Sequence, residues 1–280
     1  MKVLEIKTKD LENNIVKLQE RAGDKKIIAV VKGNGYGLGL EKFIDILLEY
    51  GINYFAVSSV EEAIELADKK IDATVLCMEA TSIENEIRQL LDKGVVLTIG
   101  NVEAARKANK IAKEMKKKVC AHLKIDTGFS RYGFLYTDKT SILETIQEST
   151  SILVEGIFSH FSSAYFEKED YTRLQYNRFL DVKNYLEENN INIPIYHICN
   201  SSAFLKYDDM FMDAVRIGSA FLGRISVRNN IGLKKIGMLK SNVVEIRKLE
   251  KGVPVGYSNS EMTKKPTTLA IVPVRIFRWL

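Results

Sequence analysis

Lys32 has the clearest chemical potential in this 280-residue sequence because of its neighbours on both sides. Five apolar residues, 27–31, precede it, and four glycines follow within seven positions, which predicts a buried strand that ends in a glycine-rich loop. We expect partial desolvation there to favour the neutral amine, which forms Schiff bases with carbonyl compounds. A Walker loop has the opposite order, with its lysine after the glycines, so nucleotide binding is disfavoured. The alternative is an ordinary strand-end lysine before a turn.

Other residues that could bind a ligand through a polar side chain or the backbone also stand at or near the ends of apolar runs. They are Lys124 and Asp126, Ser159 and His160, His197, Asn200 and Ser201, and Arg216, Gly218 and Ser219. Asn200 and Ser201 open a helix-like segment, where hydroxyls and free backbone N–H groups form an anion site. If the fold brings the run ends together, they offer an amine nucleophile, an anion site and a cationic hydrogen-bond donor.

Eight apolar runs, each followed by a polar or glycine break, are the elements that must position these residues. The runs are 27–32, 54–58, 73–78, 95–99, 119–126, 154–160, 193–198 and 214–217. Amphipathic segments such as 40–50, 60–69, 83–93 and 102–118 lie between them. Alternating strands and helices predict a parallel sheet, and eight units predict an α/β TIM barrel with its chemistry at the carboxyl ends of the strands.

The pattern changes after residue 228. Strand-like stretches at 238–247 and 269–274, with three of the four prolines after residue 253, predict a β-rich segment too short to close a barrel of its own. We therefore expect a barrel domain over residues 1–230 and an incomplete β domain over 231–280. The start of the chain, about its first 10 residues, is a candidate to pair with the β domain.

Composition argues against several classes of partner. Hydrophobic residues make up 46% and charged residues 28% of the chain, as in ordinary globular proteins. The net charge is +5, and the one dense basic run, 116–118, closes a helical segment, so we expect no nucleic-acid partner. No apolar run approaches membrane-spanning length, and three cysteines lack metal-ligand spacing. We expect a cytoplasmic protein that binds no metal and no membrane.

Five motifs, in the same order along the chain, resemble the motif series of the alanine racemase family. They are Ala-Val-Val-Lys-Gly-Asn-Gly-Tyr-Gly at 29–37, Lys-Ile-Asp-Thr-Gly at 124–128 with Arg131 and Gly133, Ser-His-Phe at 159–161, His197 with Asn200 and Ser201, and Val-Arg-Ile-Gly at 215–218. The resemblance covers nearly the whole chain. It implies a PLP-binding TIM barrel followed by a β domain, a homodimer whose subunits complete each other's active sites, and interconversion of L- and D-alanine.

The resemblance also implies which residues hold the cofactor. Lys32 would bind pyridoxal 5'-phosphate (PLP) as a Schiff base and act as one of two acid/base groups at the substrate's Cα. Tyr36 and Ser201 would bind the phosphate, with help from the backbone at Gly218 and Ser219.

Further roles around the cofactor ring follow from the same resemblance. His160 would lie against the ring, and Arg216 would face its pyridine nitrogen. His197 would orient Arg216 from behind, with Asn200 next to the site. The alternative for His197 is a core histidine that only satisfies hydrogen bonds, and we interpret the mid-strand His122 as structural.

Two further residues concern the substrate. Arg131 would pair with the substrate carboxylate, and Lys124 matches a lysine that is carbamylated in many family members and positions that arginine. The alternative for Lys124 is an ordinary strand-end lysine.

The sequence departs from the family pattern in two places. The family's second base is a tyrosine, and its place falls on Glu261, which is a candidate because a carboxylate can serve as a base. The last six residues, 275–280, replace the family's Gly-Tyr-Ala/Ser-Asp-Gly and a long remainder of the β domain. We hypothesise a one-nucleotide shift of the reading frame near Val274, and resequencing the gene tests it.

Three alternatives to alanine racemisation remain open at this point. One is a racemase of the same fold for another amino acid, such as serine or a basic amino acid. Another is a PLP-binding protein without turnover, which an incomplete β domain would favour. A decarboxylase is disfavoured, because a donor-only arginine at the pyridine nitrogen weakens the electron sink.

Overall fold

The computed structural model describes residues 2–273 of the chain. It divides into two compact units, one formed by Met1–Thr8 with Ile236–Leu280 and the other by Lys9–Lys235. The residues of the reading-frame hypothesis, 275–280, lie outside the described part.

The strands follow one another along the described chain. They are β1 (Lys2–Ile6), β2 (Lys26–Val30), β3 (Tyr54–Val57), β4 (Thr74–Ala80), β5 (Val96–Ile99), β6 (Val119–Asp126), β7 (Phe134–Leu135), β8 (Ile152–Phe158), β9 (Ile195–His197), β10 (Ala214–Ile217), β11 (Gly237–Ser241), β12 (Glu245–Leu249), β13 (Pro254–Val255), β14 (Glu261–Met262) and β15 (Thr267–Ile271).

Helices alternate with the strands of the larger unit. They are α1 (Thr8–Ala22), α2 (Lys32–Tyr36), α3 (Leu40–Glu49), α4 (Val60–Asp68), α5 (Glu84–Asp92), α6 (Val102–Glu114), α7 (Lys139–Glu148), α8 (Asp170–Glu188) and α9 (Ser201–Lys206). The short α2 is a left-handed turn and not a regular α-helix. A 3₁₀ turn, Tyr257–Asn259, lies in the smaller unit.

Eight parallel strands of the larger unit form a barrel. Their order is β10-β2-β3-β4-β5-β6-β8-β9, with the short β7 paired to β6 outside this path. A parallel bridge between Asn200 and Arg216 joins the β9 side to β10, so the sheet returns to its first strand. The eight strands correspond to the eight apolar runs, and the predicted TIM-barrel class is confirmed.

Burial explains why these segments form barrel strands. Every residue of β3, β5 and β10 is buried, as expected for strands covered on one face by helices and on the other by the barrel interior. Side-chain caps begin several of the covering helices. Ser59 accepts a hydrogen bond from the Glu62 amide at the start of α4, and Asn101 accepts one from the Ala104 amide at the start of α6.

The smaller unit consists of antiparallel strand pairs. The chain's first strand, β1, pairs with β11, β12 pairs with β15, and β13 pairs with β14. Most of its side chains are exposed, including Glu261 in β14. In the described residues, no helix is long and apolar enough to cross a membrane.

Candidate active site

Lys32 lies at the carboxyl end of β2, in an unusual turn. Gly33, Asn34, Gly35 and Tyr36 all have left-handed backbone angles, with φ between 52° and 63°. Glycine adopts this region readily, which is why the sequence alternates glycine with other residues here. Lys32 is exposed, contrary to the partial desolvation that we expect from sequence, because β2 ends two residues earlier and the turn leads the chain to the rim.

Arg216 is the buried cation of the site. It lies on β10 and is 2% exposed. Its Nη1 donates to His197 Nδ1 at 2.8 Å, and its Nη2 donates to the carbonyl of Ser159 at 2.7 Å and lies 3.1 Å from His160 Nδ1. Two more backbone carbonyls, of His197 and Ile198, accept from the same two nitrogens. Burial lowers the pKa of Arg216 to about 10, so it remains a cation at neutral pH.

His160 and His197 are neutral acceptors for this arginine. Burial, and next the charge of Arg216, lower the pKa of both imidazoles well below the usual value. Since an arginine N–H can only donate, the Nδ1 atom of each ring must carry the lone pair. His160 also contacts Phe129 edge to face, with 5.4 Å between the ring centroids.

Ser201, Gly218 and Tyr36 meet beside the arginine. The amide of Gly218 donates to Ser201 Oγ at 3.1 Å, and the amide of Ala220 does so at 3.4 Å. Asn200 caps α9 by accepting from the Ala203 amide at 3.0 Å, which fixes the position of Ser201. A Cβ atom added to Gly218 would lie 2.1 Å from the Tyr36 hydroxyl, so that hydroxyl lies directly against the backbone of the turn.

Lys124 is the second lysine of the candidate site, and unlike Lys32 it is buried. It is 2% exposed, and its Nζ donates to the carbonyl of Ile125 at 2.7 Å. Burial and the charge of Arg216 lower its pKa to about 7. A large fraction of this amine is therefore neutral near neutral pH.

Asp126 shapes the loop that carries Arg131. Its Oδ1 accepts from the amides of Gly128, Phe129 and Ser130 at 2.8, 2.9 and 3.1 Å. Burial alone would raise the pKa of Asp126, but these three hydrogen bonds hold it below the usual value. The guanidinium carbon of Arg131 lies 4.6 Å from the centroid of the Phe129 ring, and the side chain is exposed.

The structure brings together most of the residues that the sequence points to. One hydrogen-bonded cluster connects Arg216, His160 and His197, and a second connects Ser201 with the Gly218 turn. All of these residues stand at or just after the carboxyl ends of barrel strands. Three other predicted residues belong to the barrel unit: Lys32 after β2, Lys124 on β6 and Ser219 after β10. Glu261 belongs to the β-rich unit.

Sequence reasoning missed part of the polar cluster. His122 is hydrogen-bonded to His197, with 2.8 Å between Nδ1 and Nε2, and its Nε2 lies 3.0 Å from the Tyr54 hydroxyl. Tyr54 donates to Glu155 at 3.2 Å. A signal was present: His122, Lys124 and Asp126 are two residues apart on one strand and therefore share a face of β6.

Comparison with known proteins places the chain next to one enzyme group. Residues 6–225 match the model of the alanine racemase N-terminal domain. The alanine racemase of Clostridium tetani is 35% identical over 276 residues, which cover 96% of this chain and 71% of that protein.

Solved structures agree with that match. The alanine racemase of Clostridium difficile 630 superposes with a TM-score of 0.85 at 29% identity, covering 98% of this chain and 73% of that one. The Bartonella henselae alanine racemase, solved with covalently bound pyridoxal phosphate, has a TM-score of 0.81 at 23% identity and shares the fold, covering 97% of this chain and 74% of that one.

Proposed function

Because the chain belongs to the alanine racemase family, we propose that it is a PLP-dependent racemase that interconverts L- and D-alanine. The observation that carries the proposal is the buried Arg216. Every hydrogen bond that it makes to the described residues uses Nη1 or Nη2, which leaves Nε for a ligand at the barrel mouth.

The residues present fit PLP. The groups that would bind the phosphate are the Tyr36 hydroxyl, Ser201 and the backbone at Gly218 and Ser219, and a side chain at Gly218 would collide with the Tyr36 hydroxyl. Lys32 would hold the cofactor covalently, and its exposure at the rim leaves the amine accessible to a carbonyl group.

Arg216 and His160 would hold the ring. Bound PLP withdraws electrons from the carbon that loses its proton, and a donor-only arginine at the ring nitrogen keeps that withdrawal weak. Arg216 cannot readily release a proton, and its fixed hydrogen bonds prevent the guanidinium from turning away. A weak electron sink favours simple proton exchange over decarboxylation, which supports a racemase.

The proton transfers belong to two groups. Lys32 would take the Cα proton on one face while a second group delivers a proton to the opposite face, and the two groups exchange these roles in the reverse direction. Glu261 is our candidate for the opposite face, at the position of the usual tyrosine, and unchanged racemisation by Glu261→Gln would exclude it. Arg131 would bind the substrate carboxylate, held in place by its contact with Phe129.

Lys124 would be carbamylated. A carbamate forms when the neutral amine attacks dissolved CO₂ and then releases a proton, and the lowered pKa supplies the neutral amine near neutral pH. The charges of Arg216 and Arg131, which help to lower this pKa, would stabilise the negative carbamate by the same Coulomb interaction.

The larger organisation is part of the same proposal. We propose a PLP-binding domain over residues 1–230, with its first strand paired to a β domain that begins at residue 231, a homodimer, and a cytoplasmic location.

The test is racemisation of L-alanine by purified protein reconstituted with PLP, followed by chiral chromatography. Lys32→Ala should lower the rate by at least about 10²–10⁴-fold, because the acid/base group is lost. Lys42→Ala is the matched control, since Lys42 is an exposed lysine of α3 that follows the same turn. D-alanine formation that survives in Lys32→Ala would overturn the proposal, and so would formation of another D-amino acid in place of D-alanine.

A further inference from the structure

A line of hydrogen-bonded side chains runs through the barrel from Arg216 to Glu155. Arg216 Nη1 lies 2.8 Å from His197 Nδ1, and His197 Nε2 lies 2.8 Å from His122 Nδ1. His122 Nε2 lies 3.0 Å from the Tyr54 hydroxyl, which donates to Glu155 Oε1 at 3.2 Å. Both histidines are fully buried, with 0% of their surface exposed. The line therefore connects the site at the barrel mouth with a carboxylate near the other end of the strands.

The chemistry of the two ends allows only one direction of donation. Arg216 has donors only, so His197 Nδ1 must accept and its Nε2 must carry the hydrogen. His122 Nδ1 then accepts from His197, and His122 Nε2 carries the hydrogen toward Tyr54. The ionised carboxylate of Glu155 has acceptors only, so it receives the Tyr54 hydroxyl hydrogen. Every member is satisfied in this direction and in no other.

The far end of the line is an open cleft. Glu155 is 23% exposed at its side chain, and with Cys120, Lys117 and Lys118 it lines a cavity of about 470 Å³. The neighbouring imidazole of His122, whose Nε2 lies 3.5 Å from Glu155 Oε1, is the main cause that holds the pKa of Glu155 below its usual value. The carboxylate therefore stays ionised and in contact with water, while the neighbouring His122 is fully buried.

From this geometry we propose that Glu155 is a positioning residue for Arg216, acting through Tyr54, His122 and His197. The inference rests on the proposed function, in which Arg216 faces the ring nitrogen of the cofactor. Glu155 terminates the hydrogen-bond line and holds His197 Nδ1 as the acceptor that fixes the guanidinium.

Reversing the line shows why the terminal carboxylate matters. If the last group donated, Tyr54 would turn its hydrogen toward His122, whose Nδ1–H would then face His197. His197 would carry its hydrogen on Nδ1, opposite an arginine N–H, and two donors would meet. The reversed line thus loses the hydrogen bond from Arg216 to His197 Nδ1, one of the five that orient the guanidinium. A carboxylate cannot donate, and it excludes this arrangement.

The chain is well suited to a direct measurement, because it contains three histidines in total. Long-range ¹H–¹⁵N spectra of ¹⁵N-histidine-labelled protein report which ring nitrogen carries the hydrogen. At neutral pH we expect His122 and His197 to be neutral and protonated on Nε2. Protonation on Nδ1, or a charged ring, at either residue would overturn the proposal, even if no variant folds.

Variants then test the contribution of Glu155. Glu155→Gln replaces an acceptor by a group that also donates, so we expect the Nδ1–H form to become populated at His122 and His197. Tyr54→Phe leaves His122 Nε2 facing Glu155 at 3.5 Å. In this variant we expect His122 and His197 to remain protonated on Nε2. Asp213→Asn is the matched control, because Asp213 accepts from the Tyr196 amide on a barrel strand and contacts no histidine of the line. Unchanged tautomers in Glu155→Gln would overturn the proposal.

Activity provides the second readout. Glu155→Gln should lower kcat for alanine about 3- to 30-fold with KM changed by less than about twofold, which corresponds to a coupling typical of such networks. If the wild type does not racemise alanine, the proposed function fails, and the spectra still decide the hydrogen-bond line. If the wild type is active but Glu155→Gln has normal kcat, the positioning role fails.

Discussion

At the scale of single residues, Lys124 couples protonation to stability. Its pKa falls from 10.5 in the unfolded chain to about 7 in the folded one, chiefly because of burial. Between these values the unfolded chain binds one proton more, so this lysine makes the free energy of unfolding rise with pH. Below pH 7 the folded protein must hold a buried ammonium, so the contribution of Lys124 to stability is least favourable there.

Replacement by methionine removes this titration and keeps the volume. The wild type should be less stable than Lys124→Met at pH 6 by on the order of 2–4 kcal/mol, and the difference should shrink as the pH rises to 9.5. Urea unfolding in CO₂-free buffer measures it, because CO₂ would react with the neutral amine. Lys42→Met, on an exposed lysine, should show no such trend, and a pH-independent difference for Lys124→Met would contradict the lowered pKa.

Single residues also show how far sequence reasoning extends. Lys32 and His160 could be located because each ends an apolar run, and Arg216 because it is the one charged residue of the run 214–217; barrel topology collects run ends at one mouth. Glu155 and Tyr54 could not be located from sequence. Each is a single polar side chain on a different strand, and 101 positions separate the two residues along the chain. Such a pair becomes visible only when strand register is known. The exposure of Lys32 was likewise hidden, because it depends on the turn that follows.

At the scale of elements, the turn after β2 can be tested with a matched pair of glycines. Gly33 and Gly35 have nearly the same backbone angle, with φ of 62° and 63°. A Cβ on Gly33 would meet nothing within 4 Å, whereas one on Gly35 would lie 3.2 Å from Phe43 Cδ1 in the core. Gly33→Ala should therefore cost about 1 kcal/mol from the left-handed conformation alone, and Gly35→Ala about 1 kcal/mol more.

Equilibrium unfolding of the two variants in urea measures the difference. Equal losses would mean that Phe43 moves aside freely, and no loss would mean that the turn is not left-handed. The sequence predicted a glycine-rich loop here but not its handedness, since the consecutive left-handed residues include Tyr36, a bulky residue of a type that rarely adopts that region. The barrel strands were predicted well because continuous apolar runs are a strong signal for buried parallel strands.

At the scale of the whole molecule, exposed apolar side chains on the β-rich unit support the proposed homodimer. Val244 and Ile246 are two positions apart in an extended stretch and share one face, and Ile246 is 67% exposed. The unit is built from two-stranded sheets, whose edges have unpaired N–H and C=O groups. Composition alone could not indicate this surface, because strand pairing decides which apolar residues stay outside.

If the dimer forms through this surface, a charged side chain there should weaken it. Ile246→Glu would place a charge on the apolar face, and we expect it to raise the dimer dissociation constant at least about tenfold. Leu153→Glu is the control, since Leu153 is 60% exposed but lies on β8 of the barrel unit. Sedimentation velocity over a range of protein concentrations compares the two with the wild type. A wild type that remains monomeric at every concentration would contradict the homodimer. A dimer that Leu153→Glu breaks and Ile246→Glu does not would move the interface to the barrel.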